Sequence, residues 1–463
     1  MFTPELLSPA GSLKNMRYAF AYGADAVYAG QPRYSLRVRN NEFDIDNLAI
    51  GIAEAHALGK QFYVVSNIAP HNSKLKTYIR DLAPVVELKP DALIMSDPGL
   101  IMLVREAYPD LPIHLSVQAN AVNWATVKFW SQQGVERVIL SRELSVDEIK
   151  EIREAVPEME LEVFVHGALC MAYSGRCLLS GYINKRDPNQ GTCTNACRWK
   201  YGVHEAKEDD TGDVVAAKPA EIAQPEIVEP QKAAPTLGEG DTTDNLYLLQ
   251  EPGRPGEYMP AYEDEHGTYI MNSKDLRAVE MVEPLTQMGV HSLKIEGRTK
   301  SFYYCARTAQ VYRKAIDDAA AGKPFDASLM GTLEHLAHRG YTEGFLRRHS
   351  HDKYQNYDYG HSVSTSQQFV GEITGRNDQG WAEVEVKNKF LVGDSLELMT
   401  PNGNITFTLE QMVNRKGESV DVAPGSRHTM YIPVPEDIDL AFALLMRNFE
   451  ENQDSRNPHK SAG

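Results

Sequence analysis

Short apolar or β-branched runs alternate through most of the chain with stretches of helical periodicity. The runs are Leu6–Ser8, Ala26–Ala29, Phe62–Ser66, Ala92–Ser96, Ile113–Val117, Arg137–Ser141, Leu161–Val165, Thr268–Met271 and Ser292–Ile295. Between them, residues 13–23, 46–58, 73–88, 121–133, 145–155 and 275–288 read as helices. Strands that are apolar nearly throughout, each followed by a helix, predict a parallel sheet covered on both faces. The number of units suits an α/β fold of the (β/α)8, TIM-like barrel type better than an open sheet. There are nine candidate runs, one more than such a barrel holds, so Leu6–Ser8 or Thr268–Met271 is expected to lie outside it. After residue 350 the texture changes. Residues 369–435 alternate, as in Trp381–Val386, with turn signals at Asn377–Asp378, Val392–Asp394 and Asn402–Gly403. This predicts a small antiparallel β-barrel domain over about residues 360–436. Residues 436–449 read as a helix, and the polar tail beyond Glu450 as disordered.

Nearly every run in the barrel half ends in polar residues or glycine: Ser66–Asn67, Ser96–Asp97, Gln118–Asn120, Ser141–Glu143, His166–Gly167 and Glu296–Arg298. Any one of these is explained as the start of a loop. Their recurrence points to a site, because barrel enzymes seat their chemistry on the C-terminal ends of the strands.

Composition refines this picture in two places. The 463 residues carry 47 basic and 64 acidic side chains, a net charge of −17, which opposes indiscriminate binding to nucleic acid. Residues 205–244 hold 11 acidic and 3 basic residues, four prolines (Pro219, Pro225, Pro230, Pro235) and no aromatic residue. They read as a flexible acidic insertion, spanning roughly 205–250, within a barrel domain of about 1–350. The N-terminus shows no basic-then-apolar leader, and no apolar run is long enough to span a bilayer. A cytoplasmic location without a membrane partner is expected, where thiols stay reduced.

Four of the five cysteines, Cys170, Cys177, Cys193 and Cys197, fall within 28 residues directly after the Leu161–His166 run. The spacing is Cys-x6-Cys-x15-Cys-x3-Cys. Structural zinc sites use two tight knuckles, and only the last pair approaches one. Iron–sulfur sites tolerate irregular spacing, since loops wrap a larger inorganic core. An iron–sulfur cluster is favoured over zinc and over unliganded thiols, and all three stay open on spacing alone. Arg176, Lys185, Arg186 and Arg198 surround the thiols and favour thiolate, or else form a solvated surface. Cys305 differs. With Phe302, Ala306 and Ala309 it forms an apolar helical stripe, so it is expected in the core. The opposite face, Lys300, Tyr304, Arg307 and Lys314, reads either as a track for a phosphate backbone or as a solvated face. A second basic and aromatic patch comprises Arg347, Arg348, His349, His351, Lys353, Tyr354 and Tyr357, a composition suited to stacking on unpaired bases.

The segment Glu162-x-Phe164-x2-Gly167-Ala168-Leu169-Cys170-x4-Gly175-x-Cys177-x-Leu179-Ser180 resembles the motif of the collagenase-like peptidase family (family U thirty-two). Supporting matches are Leu6–Gly11, Gly23–Tyr28, Asn272–Leu276 and Leu293–Arg298. Within that family the resemblance implies prephenate-dependent, oxygen-independent hydroxylation of the tRNA wobble uridine to 5-hydroxyuridine, the first step toward 5-carboxymethoxyuridine. It also implies a cluster, 4Fe-4S in type, held by Cys170, Cys177, Cys193 and Cys197, with electron-donor or cluster-assembly proteins as further partners. A dicarboxylate such as prephenate needs cations, for which Arg142 and Arg298 are the candidates. Glu143, His166 and Glu296 are the candidates for moving protons at C5; the alternative for each is a structural ion pair. Two rival functions remain. One is the proteolysis for which the family is named, although the chain has neither an HExxH motif nor a Gly-x-Ser-x-Gly elbow. The other is a non-catalytic RNA-binding or iron–sulfur protein, which has little need of a polar barrel rim.

Overall fold

The computed structural model describes residues 2–31, 33–36, 41–169, 274–338, 340–347 and 367–449, with the backbone alone of five short strands between 206 and 269. The strands β1 (Glu5–Pro9), β2 (Ala26–Gly30), β3 (Gln61–Ser66), β4 (Ala92–Met95), β5 (Ile113–Leu115), β6 (Arg137–Ile139) and β7 (Glu160–Ala168) each pair in parallel with the next. Between them run α1 (Leu13–Ala21), α2 (Ile45–Ala57), α3 (Asn72–Glu87), α4 (Pro98–Ala107), α5 (Trp124–Gln132) and α6 (Val146–Ala155). The sequence starts most of these helices with a capping side chain. Ser12, Asp44, Asp97, Asn123 and Ser145 each accept a hydrogen bond from an otherwise unpaired N–H of the first turn, and Ser145 forms a capping box with Glu148.

Beyond β7, β8 (Ala206–Glu208) and β9 (Val214–Ala216) form an antiparallel ribbon, and β10 (Asn245–Leu249), β11 (Met259–Asp264) and β12 (Gly267–Tyr269) a separate antiparallel sheet. Apart from these strands, the acidic stretch lies outside the described residues. Next, β13 (Asp275–Arg277) runs antiparallel to the end of β7. Then β14 (Ser292–Ile295) pairs in parallel with both β7 and β1 and closes the barrel at eight strands. Leu6–Ser8 therefore belongs to the barrel, and Thr268, in β12, lies outside it. A short strand β15 (Tyr341–Thr342) extends the wall beside β13. Only the second half of the expected 275–288 helix forms, as α7 (Val282–Gln287); Asp275–Arg277 is taken up as a strand because the end of β7 offers it a partner. Two further helices, α8 (Phe302–Ala320) and α9 (Ser328–Glu334), pack outside. None of the described helices is long and apolar enough to cross a membrane.

The C-terminal part consists of β16 (Gln367–Arg376), β17 (Ala382–Val386), β18 (Phe390–Leu391), β19 (Ser395–Thr400), β20 (Gly403–Thr408), β21 (Val413–Asn414), β22 (Val422–Ala423), β23 (Thr429–Ile432) and β24 (Leu444–Asn448). Seven of these form one antiparallel sheet in the order β20-β19-β24-β16-β17-β23-β21, and β18 with β22 forms a ribbon. The helix expected over 436–449 is not found: Leu444–Asn448 is a strand between β16 and β19. Its apolar run is explained by burial on both faces. Leu445 points into the C-terminal core, whereas Leu444 and Met446 pack against the barrel domain. The tail beyond Glu450 and residues 348–366, which include most of the second basic patch, lie outside the described residues.

The two domains are joined through α1 and α8. Tyr22 OH donates to the carbonyl oxygens of Met399 and Phe442, at 3.1 and 2.9 Å. Tyr303 stacks on Phe369 with ring centroids 5.3 Å apart. Arg307 is fully buried and pairs with Glu397 at 2.9 Å, while Gln367 accepts from Arg307 and donates to Glu397. This corrects both expectations for Arg307 and Tyr304, while Lys314, 52% exposed, lies on a solvated face. Arg307 is an interface cation, Tyr304 is buried, and Lys314 pairs with Asp318 at 2.5 Å. Cys305 sits in the core as expected, its thiol pushed up to about 12 by burial.

Candidate active site at the barrel mouth

Alternation along β14 sends Ser292, Lys294 and Glu296 inward, and along β7 it does the same for Glu162 and Phe164. Barrels of this kind are ordinarily filled by branched apolar side chains. Here the lower interior is charged. Lys294 Nζ lies 2.7 Å from Glu162, whose other oxygen is 3.3 Å from Arg137; Arg137 also reaches Glu5 at 2.6 Å. Tyr63 OH donates to Glu5 at 2.6 Å, and the His114 ring packs on Tyr63. Lys294, Glu162 and Arg137 are all buried, so each charge needs its partner to offset lost hydration. Burial lowers the pKa of Lys294, and the Glu162 carboxylate acts against that shift.

One layer above, at the C-terminal ends of the strands, Arg142 meets Glu296 at 3.2 Å. The Arg142 guanidinium lies 3.9 Å from the centroid of the Phe164 ring. Arg298 stands over Tyr28 and donates to the carbonyl of Leu36. It needs the glycine at position 30, where a Cβ would come within 2.4 Å of a guanidinium nitrogen. Leu36 N in turn donates to Asn67 Oδ1 at 3.1 Å, and Asn67 Nδ2 to Gln118 Oε1 at 2.9 Å. A polar belt thus runs from β14 across the loop after β2 to the ends of β3 and β5. Glu143 accepts from Ser141 in the loop after β6. Three cations, Arg142, Lys294 and Arg298, therefore stand around two aromatic rings, Phe164 and Tyr28, beside the Glu296 carboxylate. Such a setting suits an anion carrying an unsaturated or aromatic ring.

Of the residues singled out from sequence, the structure brings Arg142 and Glu296 together, with Arg298 and Glu143 on the same rim. His166 is placed differently. Its ring lies among Tyr304, Tyr312 and Tyr341, with centroids 5.5–5.8 Å away, and Nδ1 is 3.3 Å from Tyr312 OH. The cause is the register shift between β7 and β14. Phe164 aligns with Lys294, but His166 aligns with Ile295, so the regular alternation that would aim His166 inward is broken. Burial drives the His166 pKa down to about 3, against the attraction of Asp275, and the ring is neutral. Gly167 makes the shift possible. Its φ is +107°, and a Cβ there would stand 2.4 Å from the Glu296 carbonyl oxygen. Cys170, Cys177, Cys193 and Cys197 lie outside the described residues; Leu169, at the end of the rim strand, immediately precedes the first of them. The interior role of Lys294 escaped the sequence reading, although its inward register is written in the period-two pattern Ser292, Lys294, Glu296.

The chain matches the model of Peptidase family U32 over residues 11–356 and that of the Peptidase family U32 C-terminal domain over 365–447. It is 74% identical over 459 residues to tRNA hydroxylation protein P of Escherichia coli (strain K12), covering 99% of this chain and 100% of the relative. It is 73% identical to the protein of the same name from Haemophilus influenzae, over 99% of both chains. A third tRNA hydroxylation protein P, from Helicobacter pylori (strain J99), is 39% identical over 80% of this chain and 78% of its own. With a closed eight-strand barrel, an antiparallel second domain and matches to both family models, the chain belongs to Peptidase family U32.

Proposed function

We propose that this protein is a tRNA-modifying enzyme that hydroxylates C5 of the wobble uridine to 5-hydroxyuridine, with prephenate as co-substrate and without molecular oxygen. The observation that carries the reading is end-to-end 74% identity to a protein named for tRNA hydroxylation. The barrel mouth supports it chemically. An anticodon loop already exposes the wobble base, so seating it in a rim pocket costs little unstacking energy. Arg142 and Arg298 are the partners for the two carboxylates of prephenate. Glu296, with Glu143 nearby on the rim, is the group to take the proton from C5. In this reading His166, whose ring is enclosed by Tyr304, Tyr312 and Tyr341, is not the proton acceptor.

The donor set suits an iron–sulfur cluster, being four clustered thiols in a segment that begins where β7 ends. Cys170, Cys177, Cys193 and Cys197 would hold the cluster, which when bound supplies either electron transfer or, with three ligands, a Lewis-acidic iron. For the peptidase reading, Cys170, the thiol nearest His166 in sequence, lies outside the described residues; the His166 ring is aimed at tyrosines, and Cys305, the one described cysteine, is buried and held as a thiol.

The test is nucleoside mass spectrometry of tRNA from a deletion strain complemented with the wild type or with Cys170→Ala. The reading expects 5-hydroxyuridine and its derivatives to vanish on deletion and to return only with the wild type. Unchanged levels after deletion would overturn it. Growth under ¹⁸O₂ should leave the new hydroxyl unlabelled.

A further inference from the structure

We propose that residues 33–36 after β2 and the loop after β3, with the first turns of α3, form a contact surface for the phosphodiester backbone of RNA. This deepens the tRNA reading above and rests on it. Residues 33–36 and 67–80 carry Arg33, Lys74, Lys76 and Arg80 and no carboxylate, in a chain whose net charge is −17. Elsewhere on the rim, residues 141–151 hold Glu143, Asp147, Glu148 and Glu151 against Arg142 and Lys150. The two stretches after β2 and β3 are thus basic, flanked by Glu42, Asp44 and Asp81, whereas the stretch after β6 carries an acidic excess.

The two basic loops make one surface. Ile68 N donates to the Tyr34 carbonyl at 3.3 Å, and Leu36 N to Asn67 Oδ1 at 3.1 Å. Tyr34 packs edge-on against Tyr78 of α3, with ring centroids 5.0 Å apart. Asp81 fixes the outer part. It accepts from Tyr34 OH at 2.6 Å and pairs with both Arg33 and Arg80, at 2.5 and 3.1 Å. One carboxylate thus serves two guanidinium groups whose side chains remain 53% and 76% exposed, so a positive charge is left over beside Lys74 and Lys76. Arg33 holds a left-handed backbone, φ +78°, at the apex of the loop. The inner edge of the surface is Leu36, whose carbonyl receives Arg298. The basic sector accordingly runs outward from the mouth. With a base in the mouth, the flanking phosphates of a single strand fall on it. Cations set on phosphates position a backbone and do not specify its sequence.

The experiment measures binding of fluorescein-labelled tRNA to the full-length protein by anisotropy across a KCl series. The variant Arg33→Gln/Lys76→Gln/Arg80→Gln should bind about tenfold more weakly and lose about 2 from the slope of log affinity against log salt. Cognate and non-cognate tRNAs should weaken alike. Lys76→Glu alone, on an exposed helix position, should weaken binding by about threefold with an unchanged melting curve. Wild-type affinity and salt slope in both variants would overturn the surface while leaving the tRNA reading intact. Failure of the wild type itself to bind tRNA would overturn both.

Discussion

Each rim side chain owes its chemistry to its immediate partner. Glu296 is paired with Arg142, whose guanidinium lies over the Phe164 ring, an arrangement that orients the carboxylate at the barrel mouth. Glu296→Gln keeps the shape and removes the proposed base. Hydroxylation in a reconstituted assay should fall about 100-fold with tRNA affinity unchanged. An equal fall in affinity would place Glu296 in binding instead. His166 lends itself to a pH experiment. Its folded pKa of about 3 lies below the ordinary 6.5, so the unfolded chain takes up the proton first and folding stability drops as pH falls below 6.5. At about 1.4 kcal/mol per pH unit, the loss between pH 6.5 and about pH 5 is roughly 2 kcal/mol. Urea unfolding at about pH 7 and pH 5 should show that His166→Asn removes this portion of the acid sensitivity. His114, lowered in the same direction by burial, retains its share.

At the scale of elements, the decisive feature is the junction of β7 and β14. Glu296 N donates to the His166 carbonyl at 2.8 Å, and Tyr304 OH to the Glu296 carbonyl at 2.7 Å, so the two strand ends are bound to each other and to α8. At Gly167 in that junction a side chain would run into backbone, the Glu296 carbonyl. Gly167→Ala adds a clash with backbone to an unfavourable φ, and should cost about 2 kcal/mol or more in denaturant unfolding. Gly59 is the control. It also has a positive φ, +66°, but open space around it, so Gly59→Ala should cost only about 1 kcal/mol. Similar losses at the two sites would mean that the strand ends separate freely. The same junction explains why the helix expected at 275–288 begins late. The end of β7 presents unpaired backbone groups, and Asp275–Arg277 satisfies them as a strand.

For the molecule as a whole, the two domains share, among the described residues, the buried ion pair of Arg307 and Glu397. Arg307 and Glu397 are both withdrawn from water, and Gln367 with Asn404 completes the hydrogen bonding of the carboxylate. Arg307→Met strands Glu397 at the interface and should destabilise the protein by about 3 kcal/mol. Calorimetry should then resolve two transitions where the wild type shows one. A single transition at the wild-type temperature would show that the apolar contacts of Tyr303, Phe369 and Met446 suffice to join the domains. This coupling bears on function, since α8 carries Tyr304 and Tyr312 against the ends of β14 and β7, and Arg307, between them in sequence, against the second domain.

Local chemistry was readable without coordinates. The alternation of strands and helices, the core position of Cys305, the polar strand ends and the cysteine spacing all depend on residues a few positions apart, and such interactions survive in the one-dimensional record. What required the tertiary structure were partnerships between distant segments. Whether Leu6–Ser8 or Thr268–Met271 completes the barrel depends on which one β14 pairs with. The outward turn of His166 comes from a register shift against a strand more than a hundred residues away in sequence. The apolar run at Leu444–Asn448 is a strand because it is buried from two sides, and Arg307 is an interface cation because another domain covers it. In each case periodicity reports that a face is to be buried, while only the folded chain supplies the surface that buries it.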